Sequence, residues 1–243
     1  REIVRILDNF TELTTELTTE LTTELTARKK QYEYYRDRLL TFGEDVPLVN
    51  LGDFAIISRG GNFQKKDFCE NGIPSIHYGQ IYTRYGLYAN NTITTITNEA
   101  AKKSKFAKTN DIIMAVTSEN VEDVCKCVAW LGKEEIAISG HTAIIHHNQN
   151  PKYLSYYFHT SMFDKQKRKL AHGTKVIEVT PSKLVDIKIP LPPLIEQDRI
   201  VNILDRFDVL CNDISTGIPA EIEARKKQYE YYRDKLLTFK ELS

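Results

Sequence analysis

The sequence predicts an α+β protein in which one mixed α/β domain lies between two long, antiparallel helical arms. A block of sixteen residues occurs twice, at 27–42 and 224–239, and its copies differ at one position. A second matched pair, IVRILDNF at 3–10 and IVNILDRF at 200–207, has the same offset of 197 residues. The unrepeated segment between the copies has strand-like alternation and glycine and proline turns. A repeat that brackets one such segment predicts a helical clamp around a domain. The predicted parts are residues 1–42, 43–193 and 194–243.

The first arm reads as one long helix over residues 1–41, because its apolar residues have helical spacing and no glycine or proline precedes Gly43. Within it, TELT occurs four times between Thr11 and Thr26. A leucine every four residues drifts about 40° per repeat around a helix of 3.6 residues per turn. Because threonine is a mediocre helix former, this segment needs a partner helix. We interpret it as a helical ruler that lengthens by about 6 Å per unit, although a low-complexity spacer is the alternative.

The sixteen-residue block places Tyr32, Tyr35, Leu39 and Phe42 on one helical stripe. Two interpretations stand side by side: the core of a helical hairpin, or a surface that binds another protein. The candidate partner-binding residues are Lys29, Tyr32, Tyr35 and Arg36, with their copies Lys226, Tyr229, Tyr232 and Arg233. In the second arm, Ser215–Pro219 interrupts the helix, and Pro219 is suited to restart it.

The middle segment contains both strand-like and helix-like patterns, as expected of a mixed α/β domain. Alternation predicts strands at 54–58, 73–82, 111–116, 124–130, 142–146 and 185–189. Residues 151–169 have helical spacing and end in a basic run.

Composition and motifs exclude several classes of function. Lys plus Arg equals Asp plus Glu at 33 each, so no overall basic field is present. Four cysteines without a framework spacing suggest a reducing, cytoplasmic setting. Neither a membrane span nor a signal peptide is predicted, and the start at Arg1 suggests a fragment or a processed product. Cys125-x-Cys127 lacks a recognisable metal-ligand spacing, and no nucleophile elbow, phosphate loop or cofactor fingerprint is found. We therefore expect no catalytic residue, metal or cofactor in this chain.

Basic and hydrogen-bonding side chains do gather in the loops of the middle segment, and these predict DNA binding. Arg, Asn and Gln match base edges, whereas Lys and Thr match phosphates. The candidates are Arg59, Asn62, Gln64, Lys65 and Lys66; Gln80, Tyr82 and Arg84; and Lys167, Arg168, His172, Thr174 and Lys175. Of these, Arg59, Gln64, Gln80 and Arg84 are assigned to bases, and Lys65, Lys66, Lys167, Arg168 and Lys175 to phosphates. For any one of these residues, solvated loop surface is the better interpretation, and DNA binding is favoured only for the set as a whole.

The stretch IPLPPLIEQ at 189–197, followed by RIVNILD at 199–205, resembles the junction of recognition domain and conserved helix in specificity (S) subunits of type I restriction–modification systems. Weaker landmarks are Gly52-Asp53, Arg59-Gly60, Asn150–Leu154 and Gly173-Thr174. The resemblance covers essentially the whole chain, and the TELT repeat is similar to the spacer of one subclass.

That resemblance implies a non-catalytic subunit whose target recognition domain reads one half of a split site in double-stranded DNA. Its helices would dock methyltransferase (M) subunits, and a restriction (R) subunit would join the complex. S-adenosylmethionine, ATP and Mg would be bound by those partners. S subunits carry two recognition domains, so this chain resembles a second half, and a homodimer could restore the missing one. A helical scaffold that binds protein instead of DNA is the alternative.

Overall fold

The computed structural model describes residues 2–212 and 217–238, and it divides the chain into two compact units. The globular unit comprises Asp37–Val201, and the helical unit comprises Arg1–Arg36 with Asn202–Ser243. The globular unit thus extends past the predicted boundaries on both sides. The reason is burial, since Leu40 and Ile200, which were assigned to the arms, are buried within it.

Eight helices and fourteen strands form the described part of the chain. The helices are α1 (Glu2–Leu39), α2 (Leu51–Phe54), α3 (Tyr78–Thr83), α4 (Asn98–Ala101), α5 (Pro151–Tyr157), α6 (Ser161–Leu170), α7 (Leu194–Asn212) and α8 (Ile218–Leu237). The strands are β1 (Leu48–Asn50), β2 (Ala55–Arg59), β3 (Phe68–Cys69), β4 (Ile73–Ile76), β5 (Tyr88–Ala89), β6 (Thr94–Ile96), β7 (Lys105–Ala107), β8 (Ile112–Ala115), β9 (Thr117–Ser118), β10 (Cys127–Trp130), β11 (Ile136–Ile138), β12 (Thr142–His147), β13 (Ile177–Glu178) and β14 (Lys188–Pro190). Short 3-10 helices span Lys65–Asp67 and Pro181–Asp186.

Two five-stranded sheets contain ten of the fourteen strands of the globular unit. One has the order β2-β12-β8-β10-β5 and the other β3-β6-β4-β11-β7. Each contains one parallel pair, β10 with β5 and β11 with β4, and its other pairs are antiparallel. Both sheets contribute to one buried apolar cluster, which includes Ile113, Val128 and Ile144 from the first and Ile76 and Ile138 from the second. This mixed sheet structure confirms the predicted fold class.

The TELT segment lies within α1, which is unbroken as predicted. Seven threonine hydroxyls between Thr11 and Thr26 donate to the carbonyl oxygen four residues earlier, at 2.6–2.9 Å. Such bonds satisfy the hydroxyl within its own helix. A threonine-rich helix can therefore remain regular without polar partners elsewhere.

Ring contacts show that the two arms of the helical unit are antiparallel. Phe10, early in α1, packs against Tyr229 and Tyr232 of α8, with ring centroids 6.2 and 5.8 Å apart. Tyr35, late in α1, stacks on Phe207 of α7 at 5.9 Å. As the residue number increases along α1, the number of the contacting residue in the second arm decreases. This confirms the predicted antiparallel orientation.

Some elements that the sequence predicts as continuous are two separate elements in the structure, because a polar side chain caps a new helix between them. The strand expected at 73–82 ends at Ile76, because His77 caps α3 and its Nδ1 accepts from the Gly79 N–H. The helix expected at 151–169 is α5 and α6, since Thr160 caps a new helix by accepting from the Phe163 N–H. The last predicted strand, at 185–189, is the end of a 3-10 helix followed by β14.

The second arm is interrupted as expected. Helix α7 ends at Asn212, and α8 begins at Ile218 with Gly217 as its N-cap and Pro219 in its first turn. The predicted break includes Ser215 and Thr216, which lie outside the described residues.

Candidate nucleic-acid interface

A groove of about 880 Å³ opens on the surface of the globular unit. It is bounded by the end of β2 and the loop after it, the first residues of α3, the α4 segment, and the turn between β11 and β12. Its lining includes Arg59, Asn62, Phe63, Gln64, Lys66, His77, Tyr78, Lys103, Ser139, Gly140 and His141. Four of the predicted DNA-binding residues therefore share one cavity.

Glycines fix the backbone of this groove. A Cβ on Gly60 would overlap the carbonyl oxygen of Ser139, and one on Gly61 would overlap the backbone of Ser104. The Gly61 N–H donates to the carbonyl oxygen of Ile138 at 2.8 Å. The loop after β2 is thus held against the turn after β11, at a distance that only glycine permits.

Arg59 spans the edge of the groove. Its Nε donates to the carbonyl oxygen of Gly140 at 3.0 Å, and its Nη2 forms an ion pair with Glu178 at 2.9 Å. About half of the side chain remains exposed. Arg59 therefore has both a fixed position and a solvent-facing part, as residues that read base edges require.

Four aromatic rings also line the groove, those of Phe63, His77, Tyr78 and His141. The rings of His77 and Tyr78 lie 4.6 Å apart, and those of Tyr78 and His141 lie 4.9 Å apart. Phe63 packs on His77 at 6.1 Å, and the Tyr78 N–H donates to Ser139 Oγ at 2.9 Å. Burial, together with the charges of Lys65 and His141, lowers the pKa of His77. His77 is thus buried within the fold, whereas His141 is exposed.

The remaining predicted residues of the first loop are also exposed: Asn62, Gln64, Lys65 and Lys66. The backbone N–H of Gln64 donates to Asp67 Oδ2 at 2.7 Å, which orders the turn that carries the lysines. The third predicted set, His172, Thr174 and Lys175, lies on an exposed loop next to this site. That loop pairs His172 with Glu178, the residue that holds Arg59.

Most side chains of the second predicted set, Gln80, Tyr82 and Arg84, already form hydrogen bonds within the domain. Gln80 accepts from the His77 N–H at 2.9 Å through Oε1 and lies 3.3 Å from the hydroxyl of Thr94. The Tyr82 hydroxyl donates to the carbonyl oxygen of Thr117 at 2.8 Å, and burial raises its pKa. Both side chains are therefore removed from the candidate contacts, and only Arg84 of this set is exposed.

Lys167 requires the same correction. Only 6% of it is exposed, and its ammonium donates to the carbonyl oxygens of Glu122 and Val124 at 2.7 and 2.9 Å. Its neighbour Arg168 is occupied by ion pairs with Glu122 and Asp164. Lys167 thus stabilises the domain and is not placed to hold a phosphate, whereas Arg168 keeps an exposed side chain, as Arg59 does.

Sequence reasoning missed several residues that line the groove, among them Tyr78, Lys103 and His141. Gly140, the neighbour of His141, approaches Asn62 because Gly61 contacts Ser139, and these two residues are 78 positions apart (139 − 61). No local pattern reports such a contact.

The predicted partner-binding residues of the arms divide by exposure. Tyr32 is buried, and the rings of Tyr35, Tyr229 and Tyr232 pack on phenylalanines of the opposite arm. Lys29 and Lys226 are exposed, and Arg36 and Arg233 lie over the rings of Tyr32 and Tyr229 at 5.7 and 6.0 Å. Tyr34 and Tyr231, which hold equivalent positions in the repeat, are the tyrosines most exposed in the arms. The outward surface therefore differs from the predicted stripe.

Among the described residues, no group of three or more His, Cys, Asp and Glu side chains could hold a metal ion. Within the same ranges, no helix has the length and apolar character needed to cross a membrane.

A domain with a polar groove, joined to two arms with a repeated sequence, defines a recognition protein built on a helical support. Residues 43–224 match the model of the type I restriction modification DNA specificity domain. The chain therefore belongs to the family of type I restriction–modification specificity proteins.

Relatives and solved structures agree with this family. The chain is 40% identical over 248 residues to the Escherichia coli type I restriction enzyme EcoR124I/EcoR124II specificity subunit, covering 98% of this chain and 59% of that protein. It is 28% identical to the Mycoplasma pneumoniae MpnII specificity subunit, covering 87% and 62%. The chain thus spans about three-fifths of the length of these curated relatives.

Two solved structures have the same fold at 18% identity. One is a chain of a type I R-M system, with a TM-score of 0.72 over 97% of this chain and 58% of that one. The other is the HsdS subunit from Thermoanaerobacter tengcongensis, with a TM-score of 0.58 over 97% and 54%.

Proposed function

We propose that this chain is a non-catalytic specificity subunit that reads one half of a two-part DNA target within a type I restriction–modification complex. The observation that carries the proposal is the groove, where Arg59, Asn62, Gln64 and Lys66 converge on one glycine-fixed loop. Guanidinium and amide groups match base edges, and lysine matches phosphates. The family relationship supplies DNA as the ligand for this surface.

The proposed contact surface extends from the groove along the adjoining loop. His172, Thr174 and Lys175 are exposed there, and Glu178 links this loop to Arg59. Lys65, Arg84 and Arg168 remain candidates because all three are exposed. Gln80, Tyr82 and Lys167 are excluded, since the fold already uses their polar groups.

The arms are proposed to dock methyltransferase subunits, through which a restriction subunit joins. Tyr34 and Tyr231 offer exposed aromatic surface, and Lys29 and Lys226 offer charge at equivalent positions of the repeat. Aromatic side chains commonly anchor protein interfaces. S-adenosylmethionine, Mg and ATP would then be bound by those partners, and this chain would bind none of them.

We also propose a place for a second recognition domain on the arms. Val201 is 6% exposed and Leu40 is fully buried, and both belong to the globular unit. Their equivalents in the repeat, Val4 and Leu237, are 59% and 51% exposed. The repeat therefore contains two apolar residues that are buried in one copy and exposed in the other. A second copy of the chain can supply a domain to the exposed residues if the two chains exchange their similar arms.

The test of DNA recognition is selection from a pool of random duplexes, with the chain assembled with methyltransferase subunits. We expect enrichment of one short sequence. Lys66→Ala should weaken binding to all sequences and lower the slope of log affinity against log salt by about 1. The matched control is Lys183→Ala, which removes an exposed lysine outside the groove. Assembly without any enriched sequence would instead support a protein-binding scaffold.

Self-association is tested separately by analytical ultracentrifugation in the micromolar range. We expect a dimer that Val4→Asp or Leu237→Asp weakens, because a charge would enter a newly buried apolar contact. Leu48→Asp changes a leucine of similar exposure in the globular unit and should leave the dimer intact. A monomer at every concentration, with and without DNA, would contradict the proposed arm exchange.

A further inference from the structure

The groove contains an exposed imidazole and an exposed amide in neighbouring positions. A Cβ on Gly140 would lie 3.0 Å from Asn62 Oδ1. The Asn62 side chain therefore lies against the residue that precedes His141. Both side chains are exposed and line the same cavity. A ligand in this cavity could contact both side chains.

The surroundings of His141 restrict its position. Its ring packs on Tyr78 at 4.9 Å, and the Tyr78 backbone is tied to Ser139 by a hydrogen bond of 2.9 Å. On the other side, the Gly140 carbonyl oxygen accepts from Arg59 Nε at 3.0 Å. A side chain that is held by packing and by a fixed backbone loses little entropy when it binds a ligand. This is the arrangement expected of a residue that discriminates between ligands.

The neutral ring of a histidine has one donor and one acceptor nitrogen, and an asparagine amide has both as well. Base edges in the major groove of DNA also present donors and acceptors side by side. On the α4 side of the groove, Lys103 is exposed and lines the cavity, whereas the adjacent and equally exposed Lys102 does not. The groove thus combines a fixed polar centre with the cation Lys103 on the α4 side, where Glu99 also lines the cavity.

We propose that His141 is a specificity-determining residue that reads one base pair together with Asn62, while Lys103 holds a phosphate at the rim of the groove. This assignment rests on the proposed DNA recognition and names residues that the sequence did not reveal. Tyr78 acts only as the packing support of His141.

The experiment uses the full chain assembled with methyltransferase subunits and a library of duplexes that varies each base pair of the selected half-site. His141→Ala should reduce discrimination at one position by about tenfold and leave the other positions unchanged. Lys103→Ala should weaken all sequences alike and lower the salt slope by about 1, whereas Lys102→Ala should change neither quantity. If His141→Ala lowers the unfolding temperature, His141→Phe, which keeps a ring to pack on Tyr78 but has no donor or acceptor, is measured in its place with the same expected loss.

The outcomes separate the two proposals. If the unmodified chain selects no sequence, the proposed DNA recognition fails. If it selects a sequence and the folded His141 variant keeps full discrimination at every position, the assignment of His141 is refuted while DNA recognition stands. Equal effects of Lys102→Ala and Lys103→Ala would refute the phosphate contact.

Discussion

Replacing Lys167 by alanine tests whether the basic end of α6 serves the fold or the DNA. The Lys167 ammonium donates to the carbonyl oxygens of Glu122 and Val124, and it lies 3.3 Å from Asp164. A hydrogen bond to a charged group contributes about 1.5–3 kcal/mol, and a buried carbonyl left without a donor adds a desolvation cost. Since water can reach part of the vacated site, we expect a loss of about 3 kcal/mol in the free energy of unfolding.

The assay is urea unfolding of Lys167→Ala beside Lys169→Ala, which removes an exposed lysine from the same helix. The control should change the free energy of unfolding by less than about 0.5 kcal/mol. In DNA binding, Lys167→Ala should leave the salt slope unchanged under conditions where it is folded. A normal stability together with a reduced slope would refute the structural role and restore Lys167 as a phosphate contact.

Two further predictions concern the ruler and His147, which is partly buried. Deleting Thr15–Thr18 in a subunit with two recognition domains removes about 6 Å of helix. The gap between the half-sites should therefore shorten by one or two base pairs at about 3.4 Å each, while both half-site sequences stay unchanged. Methylated sites mapped by sequencing test this, and an unchanged gap would show that the repeat does not set the spacing. Burial, assisted by the charge of His146, lowers the pKa of His147 to about 4. Because the unfolded chain binds this proton near pH 6.5 and the folded chain only near pH 4, stability is fully present above pH 6.5 and declines by up to about 3 kcal/mol as the pH falls to 4. Unfolding measured across this range should lose that component in His147→Asn, and an identical pH profile in the variant would contradict the assignment.

The sequence predicts the arms well because their signals are local and repeated. The heptad positions of Tyr35 and Tyr232 suffice to bring them onto Phe207 and Phe10, since helical geometry alone decides which residues share a face. The Gly60-Gly61 turn is likewise visible as a turn. Its partner, the Ser139 segment, cannot be identified from the sequence because no local rule links the two.

The candidate site was harder to predict for a different reason. Gln80 and Lys167 have the side chains expected of DNA contacts, yet one supports a helix cap and the other fills a buried site between carbonyl oxygens. Residue type describes what a side chain can bind, and burial decides whether it is available. His141 shows the converse, since an unremarkable loop histidine becomes a candidate once its fixed neighbours are known.

The repeated block of the arms shows that identical sequence and identical packing are separable. Tyr32 is buried, whereas its equivalent Tyr229 is only partly so. Leu40 and Leu237 differ even more, from fully buried to half exposed. Packing within the described chain thus does not require the two copies to match. The outward residues do match, and Tyr34 and Tyr231 have nearly equal exposure. A partner that contacts both arms through the same surface would require such matching, and two copies of one methyltransferase subunit, placed about a twofold axis, meet that condition.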